Sequence, residues 1–353
     1  VNVSSMSYGS LGPRAVEALN AGAALAGCWQ GTGEGGISEH HRAGGDLVWQ
    51  IGTGYFGCRA ADGTFDLERF RDTIASTPSI RLVEIKLSQG AKPGLGGLLP
   101  ASKVTPEIAS MRGIPVGVDC WSPSRHRAFH DADSLLDFVE LLAEHSGLPV
   151  GVKSAVGQLD LFDDLARLMA DGRRGVDFIT IDGGEGGTGA GPLVFSDHVA
   201  LPFKIGFPRV HRVFAEAGLA DRIVFTGSGK LGFPESALLA FALGCDTVNV
   251  GREAMLAIGC IQAQRCHTGR CPTGVATTSV RLQRGLDPTD KAVRAASYVV
   301  QLRKELLQLA RACGLDHPAQ VTLDHLELLD GRFGSQRASE VFGATDDPGL
   351  HFS

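Results

Sequence analysis

The chain has 353 residues, 43% of them hydrophobic and 20% charged, the balance of an ordinary globular protein. A formal net charge of -6, with Lys and Arg scattered along the chain, excludes the basic face that a nucleic acid or an anionic membrane requires. No stretch reaches the roughly 18 apolar residues of a membrane span, so the expectation is a soluble protein acting on small molecules.

The chain begins at Val1 in an apolar, strand-like segment, without the charged start and long apolar core of a signal peptide, as an excised or processed piece would. Short β-branched runs then recur at Val1 to Ser4, Leu47 to Ile51, Arg81 to Lys86, Pro115 to Asp119, Pro149 to Lys153, Asp177 to Ile181, Arg222 to Phe225 and Asp246 to Val250. These are eight candidate strands. Helical periodicity separates the later ones, over Ser134 to His145, Asp160 to Ala170, Val210 to Ala217 and Glu235 to Ala242. Such alternation implies parallel pairing through right-handed crossovers. A doubly wound sheet should carry a dinucleotide fingerprint after an early strand, and none stands here. The expected fold is therefore a (β/α)8 TIM barrel forming a single domain over residues 1–353. Its chemistry is expected at the C-terminal strand ends. The Gly-rich segment from Gly31 to Gly97 reads as an elaborated active-site face. A long amphipathic helix, Asp290 to Ala312, closes the barrel unit at residue 315, and a polar tail follows.

Of eight cysteines, three crowd into Cys260-x5-Cys266-x4-Cys271, which points to a metal site in a reducing, cytoplasmic compartment. Three thiolates on one loop can each hold one iron of a three-iron, four-sulfur cluster. Zinc with His267 as a fourth ligand and unliganded thiols are the alternatives. Cys28, Cys58, Cys120, Cys245 and Cys313 read as isolated inert thiols.

Two loops after late strands suit a phosphate: Thr226-Gly227-Ser228-Gly229-Lys230 and Asn249-Val250-Gly251-Arg252, the second running into a helix. Their bland reading is a pair of tight turns. Asp182-Gly183-Gly184-Glu185-Gly186-Gly187-Thr188-Gly189-Ala190 is too glycine-rich for a helix or strand, and suits contact with a flat ring or phosphate or else a solvent loop. Lys86 and Lys153 both end strands, where a lysine can reach over the barrel mouth to stabilise a reduced flavin or a substrate carboxylate; a surface lysine is the alternative. Glu34, in Gly33-Glu34-Gly35-Gly36, is a candidate for orienting a substrate amine, against a solvated loop carboxylate. His40, His41, His126 and His130 are expected as hydrogen-bonded loop residues rather than acid-base groups.

Three motifs in order carry a family likeness: Lys86 to Gly97, Asp182 to Pro192, and Cys260 to Thr277, which ends Cys-Pro-Thr-Gly-Val-Ala-Thr. They resemble the FMN-binding synthase domain of glutamate synthase, and above all its stand-alone FMN-binding glutamate synthase-like members. The likeness runs from Met6-Ser7-Tyr8-Gly9 to the helix before Leu315. It implies a barrel holding FMN beside a [3Fe-4S] cluster, an iron-sulfur loop after the last strand, and electrons arriving from ferredoxin or an NADPH-oxidising subunit. It further implies hydride delivery to 2-iminoglutarate, formed from 2-oxoglutarate and ammonia. By resemblance, Cys260, Cys266 and Cys271 are the cluster ligands; Lys86, Gln89, Lys92, Arg112 and Glu34 hold the keto acid, with Lys86, Lys153 and Glu34 catalytic. Met6, Ser7, Lys153, Gly183, Gly184, Gly187, Thr188, Gly227, Gly229, Lys230, Gly251 and Arg252 are the implied FMN contacts. Full glutamate synthases read Gly-Glu-Gly-Gly where this chain has Gly94-Leu95-Gly96-Gly97, and Ser-Pro-Pro-Pro-His-His where it has Ser122 to Arg127. Those departures bear on which keto acid is used. The amidotransferase domain of the family is not in this sequence, so ammonia comes from solution, a separate glutamine amidotransferase, or a removed part of the polypeptide. An electron-transfer or assembly module, or a related FMN barrel acting on another amino or keto acid, remain the competing readings.

Overall fold

Eight parallel strands close into a barrel: Asn2–Val3, Trp29–Gly31, Asp46–Ile51, Ile80–Lys86, Val150–Ser154, Phe178–Asp182, Val224–Ser228 and Thr247–Val250. Each pairs with its neighbours in chain order, and the first closes the ring on the eighth through Asn2 opposite Asn249 and Val3 opposite Val250. The computed structural model describes residues 1–343 apart from Thr188, Ala190, Leu193, Arg332 and Phe333. The barrel is the expected TIM fold, with one exchange among its strands. Pro115 to Asp119 is not a strand: Gly117 turns at φ 68°, and Val116 and Val118 are 57% and 52% exposed, so their alternation buries nothing. The place in the barrel is taken by Trp29–Gly31, a three-residue strand without a β-branched residue.

Outward-facing strand residues such as Val83, Ile85, Val152, Ile179, Ile181 and Val248 are fully buried under the helices. Asp160–Met169 shows how the cover is made, since Phe162, Leu165, Ala166 and Met169 fall on one face at helical spacing. Burying each large side chain contributes roughly 1.5–3 kcal/mol. Helix ends are set by local chemistry: the Asp131 carboxylate accepts from the Ser134 N–H at 2.8 Å at the start of Ala132–Ser146, and Gly147 at φ 66° ends it. The 25-residue helix Pro288–Ala312 supplies the last crossover cover. Its Arg303 donates to the carbonyls of Val1, Ala26 and Gly27, locking it beside the helix Pro13–Ala26. The tail is more than a polar extension: its hairpin, Glu327–Leu329 with Ser335–Arg337, leads into Ala338–Phe342, whose Ala338 and Phe342 are buried. Among the described residues no helix is long and apolar enough to cross a membrane.

Residues two apart on one strand face the barrel axis together. The inward sets Leu82, Glu84, Lys86 and Phe178, Thr180, Asp182 thus run from an apolar floor through a polar middle to a charged mouth. Small residues in the middle layer leave a cavity of about 340 Å³, lined among others by Gly31, Glu84, Thr180, Thr226 and Asn249. Glu84 is tied there by Gln50 Nε2 at 2.6 Å and the Thr180 hydroxyl at 2.7 Å.

Candidate active site

Sheet register builds the mouth. Lys86 and Lys153 stand directly opposite each other on the fourth and fifth strands, so two ammonium groups are forced to the same end of the barrel. Each is answered by a carboxylate: Lys86 Nζ lies 2.7 Å from Glu34, and Lys153 Nζ 3.9 Å from Asp182. Asp182 ends the sixth strand, one residue beyond its sequence-predicted limit. Its two oxygens accept from the Gly90 N–H at 2.9 Å and the Ser228 hydroxyl at 2.7 Å, which joins the fourth, sixth and seventh strands at their ends. A Cβ on Gly90 would sit 1.9 Å from the Gly183 carbonyl oxygen, so only glycine allows the two loops to meet.

Around this pair lie the other residues expected to hold a keto acid. Gln89 Oε1 accepts from Lys86 Nζ at 3.1 Å. Burial would raise the Glu34 carboxyl, but Lys86, with Lys92 and Arg112 behind it, holds it below the ordinary carboxylate range. Lys92 is 7% exposed and donates to the Gly96 carbonyl at 3.0 Å; its burial lowers the ammonium pKa against the pull of Glu34. Arg112 is equally buried, donates to the Tyr8 carbonyl at 3.1 Å, and lies 5.0 Å from the centre of the Phe56 ring. Its Nε has no hydrogen-bond partner among the described residues. Glu34, Lys86, Gln89, Lys92 and Arg112 are therefore one cluster, with Lys92 and Arg112 lacking a carboxylate within ion-pair distance among the described residues.

Each of the four histidines has a polar side-chain partner. His126 donates from Nε2 to the Lys86 carbonyl at 2.9 Å and takes the Tyr55 hydroxyl on Nδ1 at 3.1 Å; burial lowers its pKa, and the ring props the end of the fourth strand. His41 is buried beside Ser38 with its pKa lowered to about 3, His40 bridges Glu17 and Glu107, and His130 is exposed.

The glycine loops lie on this same C-terminal face. Met6 and Ser7 follow the first strand, with the Ser7 and Ser10 hydroxyls 2.9 Å apart. Gly183 and Gly184 are buried, whereas Gly187 is exposed near the Arg252 guanidinium. Gly229 and Lys230 are successive residues at φ 137° and 53°, a sharp turn directly after the seventh strand. Gly251 caps the helix Arg252–Ala257. Gly227 lies within the seventh strand, not in a loop: a Cβ there would meet the Phe203 ring, Cys245 Sγ and Leu231 at 2.8–2.9 Å, so its small size serves internal packing. Thr188 lies outside the described residues.

Beyond Arg252–Ala257 the cysteine loop folds back toward the mouth. Cys260 and Cys266 are half-buried and Cys271 is buried. Cys260 Sγ accepts from the Gln262 N–H at 3.4 Å. Burial would raise the Cys271 thiol, but the N–H groups of Ala276, Thr273 and Val275 hold it below its usual value. Burial pushes the Cys266 thiol up, and Cys260 and Cys271 push it further. Positive φ at Gln262, Gln264 and Gly269 bends the chain around them. Sequence reasoning missed Lys103, which lies under this loop at 3% exposure and donates to the carbonyls of Ser10 and Cys266 at 2.9 and 3.2 Å; burial lowers its pKa to about 8. Among the described residues no three His, Cys, Asp or Glu side chains are gathered to hold a single metal ion, and His267 is exposed. Cys58 and Cys245 are buried with raised pKa values, as inert thiols should be.

Comparison with known proteins adds a family. The conserved region in glutamate synthase matches residues 1–316. The chain is 42% identical over 328 residues to the glutamate synthase large subunit-like protein YerD of Bacillus subtilis, covering 92% of this chain and 62% of that protein. It is 34% identical over 319 residues to the archaeal glutamate synthase [NADPH] of Methanocaldococcus jannaschii, covering 90% and 59%. The chain thus spans about three-fifths of the length of these relatives. Among solved structures, a flavocytochrome b2 variant with sulfite bound superposes with a TM-score of 0.53 at 14% identity, covering 94% of this chain and 70% of that one. A mandelate oxidase variant gives 0.52 at 15% identity, covering 95% and 78%. At such identity the likeness is one of fold alone.

Proposed function

Because the chain belongs to the glutamate synthase family, we propose that it is a flavin- and iron-sulfur-dependent oxidoreductase that reduces a 2-imino acid, 2-iminoglutarate from 2-oxoglutarate and ammonia, to the amino acid. The observation that carries this reading is the mouth cluster: two buried cations, Lys92 and Arg112, with no carboxylate within ion-pair distance among the described residues, beside the Lys86–Glu34 pair whose single carboxylate they share at longer range. A buried cation needs a counter-charge, and a dicarboxylate keto acid brings two.

The residues present suit both cofactors. The successive positive φ of Gly229 and Lys230, the capping Gly251, and Arg252 beside Gly187 fit the phosphate of FMN, with Lys153 at the strand end fitting its ring. Cys260, Cys266 and Cys271 fit a [3Fe-4S] cluster, since each is a free thiol and Cys271 already receives several N–H groups. A cluster of several irons is wider than one ion, so its ligands need not close on a single point. When bound, the cluster would supply one-electron transfer from ferredoxin or an NADPH-oxidising subunit, and FMN would supply the hydride.

The chain's own residues prepare the substrate. Arg112 offers a planar fork and Lys92 a point charge to the carboxylates. Glu34, kept ionised by Lys86, accepts from the imino N–H and fixes which face of the C=N bond is presented. Gln89 holds Lys86 in place, and Lys153 stabilises negative charge on the reduced ring. The ammonia comes from solution or a separate glutamine amidotransferase, and the redox chemistry suits a cytoplasmic, reducing setting.

Equilibrium titration with 2-oxoglutarate tests the reading. Saturable binding is expected, weakened about 10- to 100-fold in Arg112→Leu, the effect of losing a hydrogen bond to a charged group. Absence of binding at millimolar concentration to the flavin-loaded protein overturns it.

A further inference from the structure

Lys103 is the most deeply buried of the described lysines that the fold encloses, at 3% exposure against 6% for Lys153 and 7% for Lys92. It ends the short turn Ala101–Lys103, and its ammonium reaches two carbonyl oxygens, of Ser10 at 2.9 Å and of Cys266 at 3.2 Å. No carboxylate lies within ion-pair distance of it among the described residues. Two carbonyl dipoles do not neutralise an ammonium, and a buried charge left without a counter-ion is costly.

Its ammonium holds the carbonyl of Cys266 at 3.2 Å and its stem lies against Gly269, two residues before Cys271, so the thiols of Cys266 and Cys271 are the ionisable groups that the loop sets around it. They carry charge only as thiolates. With three thiolates and the inorganic sulfides outweighing the iron, a bound cluster is an anion, and each electron it accepts makes it more so. A cation fixed beneath it therefore favours both its retention and its reduced form.

We infer that Lys103 is the counter-charge of the cysteine loop, a positioning residue that pins Cys266 to the loop after the first strand and raises the reduction potential of the cluster. This rests on the iron-sulfur part of the proposed function. It assigns Lys103 a role that neither substrate binding nor the flavin site uses.

The test uses holoprotein purified without oxygen, as wild type, Lys103→Gln and Lys103→Arg. Gln keeps donors for the two carbonyls and removes the charge; Arg keeps the charge. Iron per chain and the cluster midpoint, followed by electron paramagnetic resonance during a redox titration, are the readouts, with circular dichroism recording the fold. In Lys103→Gln the ratio of reduced to oxidised cluster at a fixed potential should fall about tenfold, a shift of about 59 mV for one electron. Lys103→Arg should stay near wild type. Loss of iron from folded Lys103→Gln, restored in Lys103→Arg, also supports the inference. A fully iron-loaded Lys103→Gln with the wild-type midpoint overturns it while leaving the cluster in place, whereas an iron-free wild type overturns the cluster reading and this inference together.

Discussion

Lys86 and Lys153 meet at the mouth because parallel register puts them opposite each other, and the strands that carry them are buried on their outer faces. Cys260, Cys266 and Cys271 meet by other means: a loop turned by positive φ at Gln262, Gln264 and Gly269, supported by backbone N–H groups and a buried lysine. The charged mouth thus inherits its geometry from the sheet, whereas the cysteine loop has to make its own. A side chain at a strand end can be exchanged with its neighbours held in place. A side chain on the loop holds up the loop itself.

The sharpest way to break that contrast is Cys266→Ser, which should abolish bound iron altogether while the thermal unfolding of the barrel shifts little, because half-buried Cys266 lies outside the strands. Iron retained at the wild-type level would remove the cysteine loop from the account. Next in size is Glu34→Gln, which should lower kcat by about 100-fold or more, in the range of losing one preorganised polar group, with FMN content unchanged. A kcat within a factor of two of wild type would show that the mouth does not use this carboxylate. Asp182→Asn sharpens the comparison from the sheet side. The amide can keep both contacts, accepting from the Gly90 N–H and donating to the Ser228 hydroxyl, but it leaves the buried Lys153 without its carboxylate, so chemical denaturation should show a loss of about 1–3 kcal/mol, whereas the same measurement on Cys266→Ser should show far less.

The smallest effect is in pH. Glu34 has a folded pKa below its unfolded value of about 4.3. Its stabilising contribution is therefore complete above the unfolded value and is lost as pH falls through the folded one. The denaturation midpoints of wild type and Glu34→Gln should converge as the pH drops below about 4; a gap that widens on acidification would mean that the carboxyl is not held ionised.

Much of this was legible in the sequence, for reasons that also explain the rest. Strands rich in Val and Ile announce themselves, and so did the strand-end lysines that follow them. Trp29–Gly31 did not, since one β-favouring tryptophan beside a glutamine and a glycine is too short a run to show alternation. Val116 and Val118 carried a false one, for alternation predicts a strand only where one face is buried. The apolar runs end at Ile181 and Phe225, while the strands continue to Asp182 and Ser228, whose polar side chains meet each other at the mouth. The helix Pro13–Ala26 had its signals, Pro13 at the first position and Gly27 just past the end. For Lys103 there was no local signal: its two partners are 93 and 163 residues away in sequence, and only folding brings them together.

The most direct measurement is a single turnover without oxygen. Flavin-loaded protein, chemically reduced, is mixed with 2-oxoglutarate and ammonium while flavin absorbance and amino-acid product are followed together. The account predicts that the flavin is reoxidised and glutamate appears in step with it, only when both substrates are present. Reduced flavin that persists in the presence of both, with no amino acid formed, would contradict it.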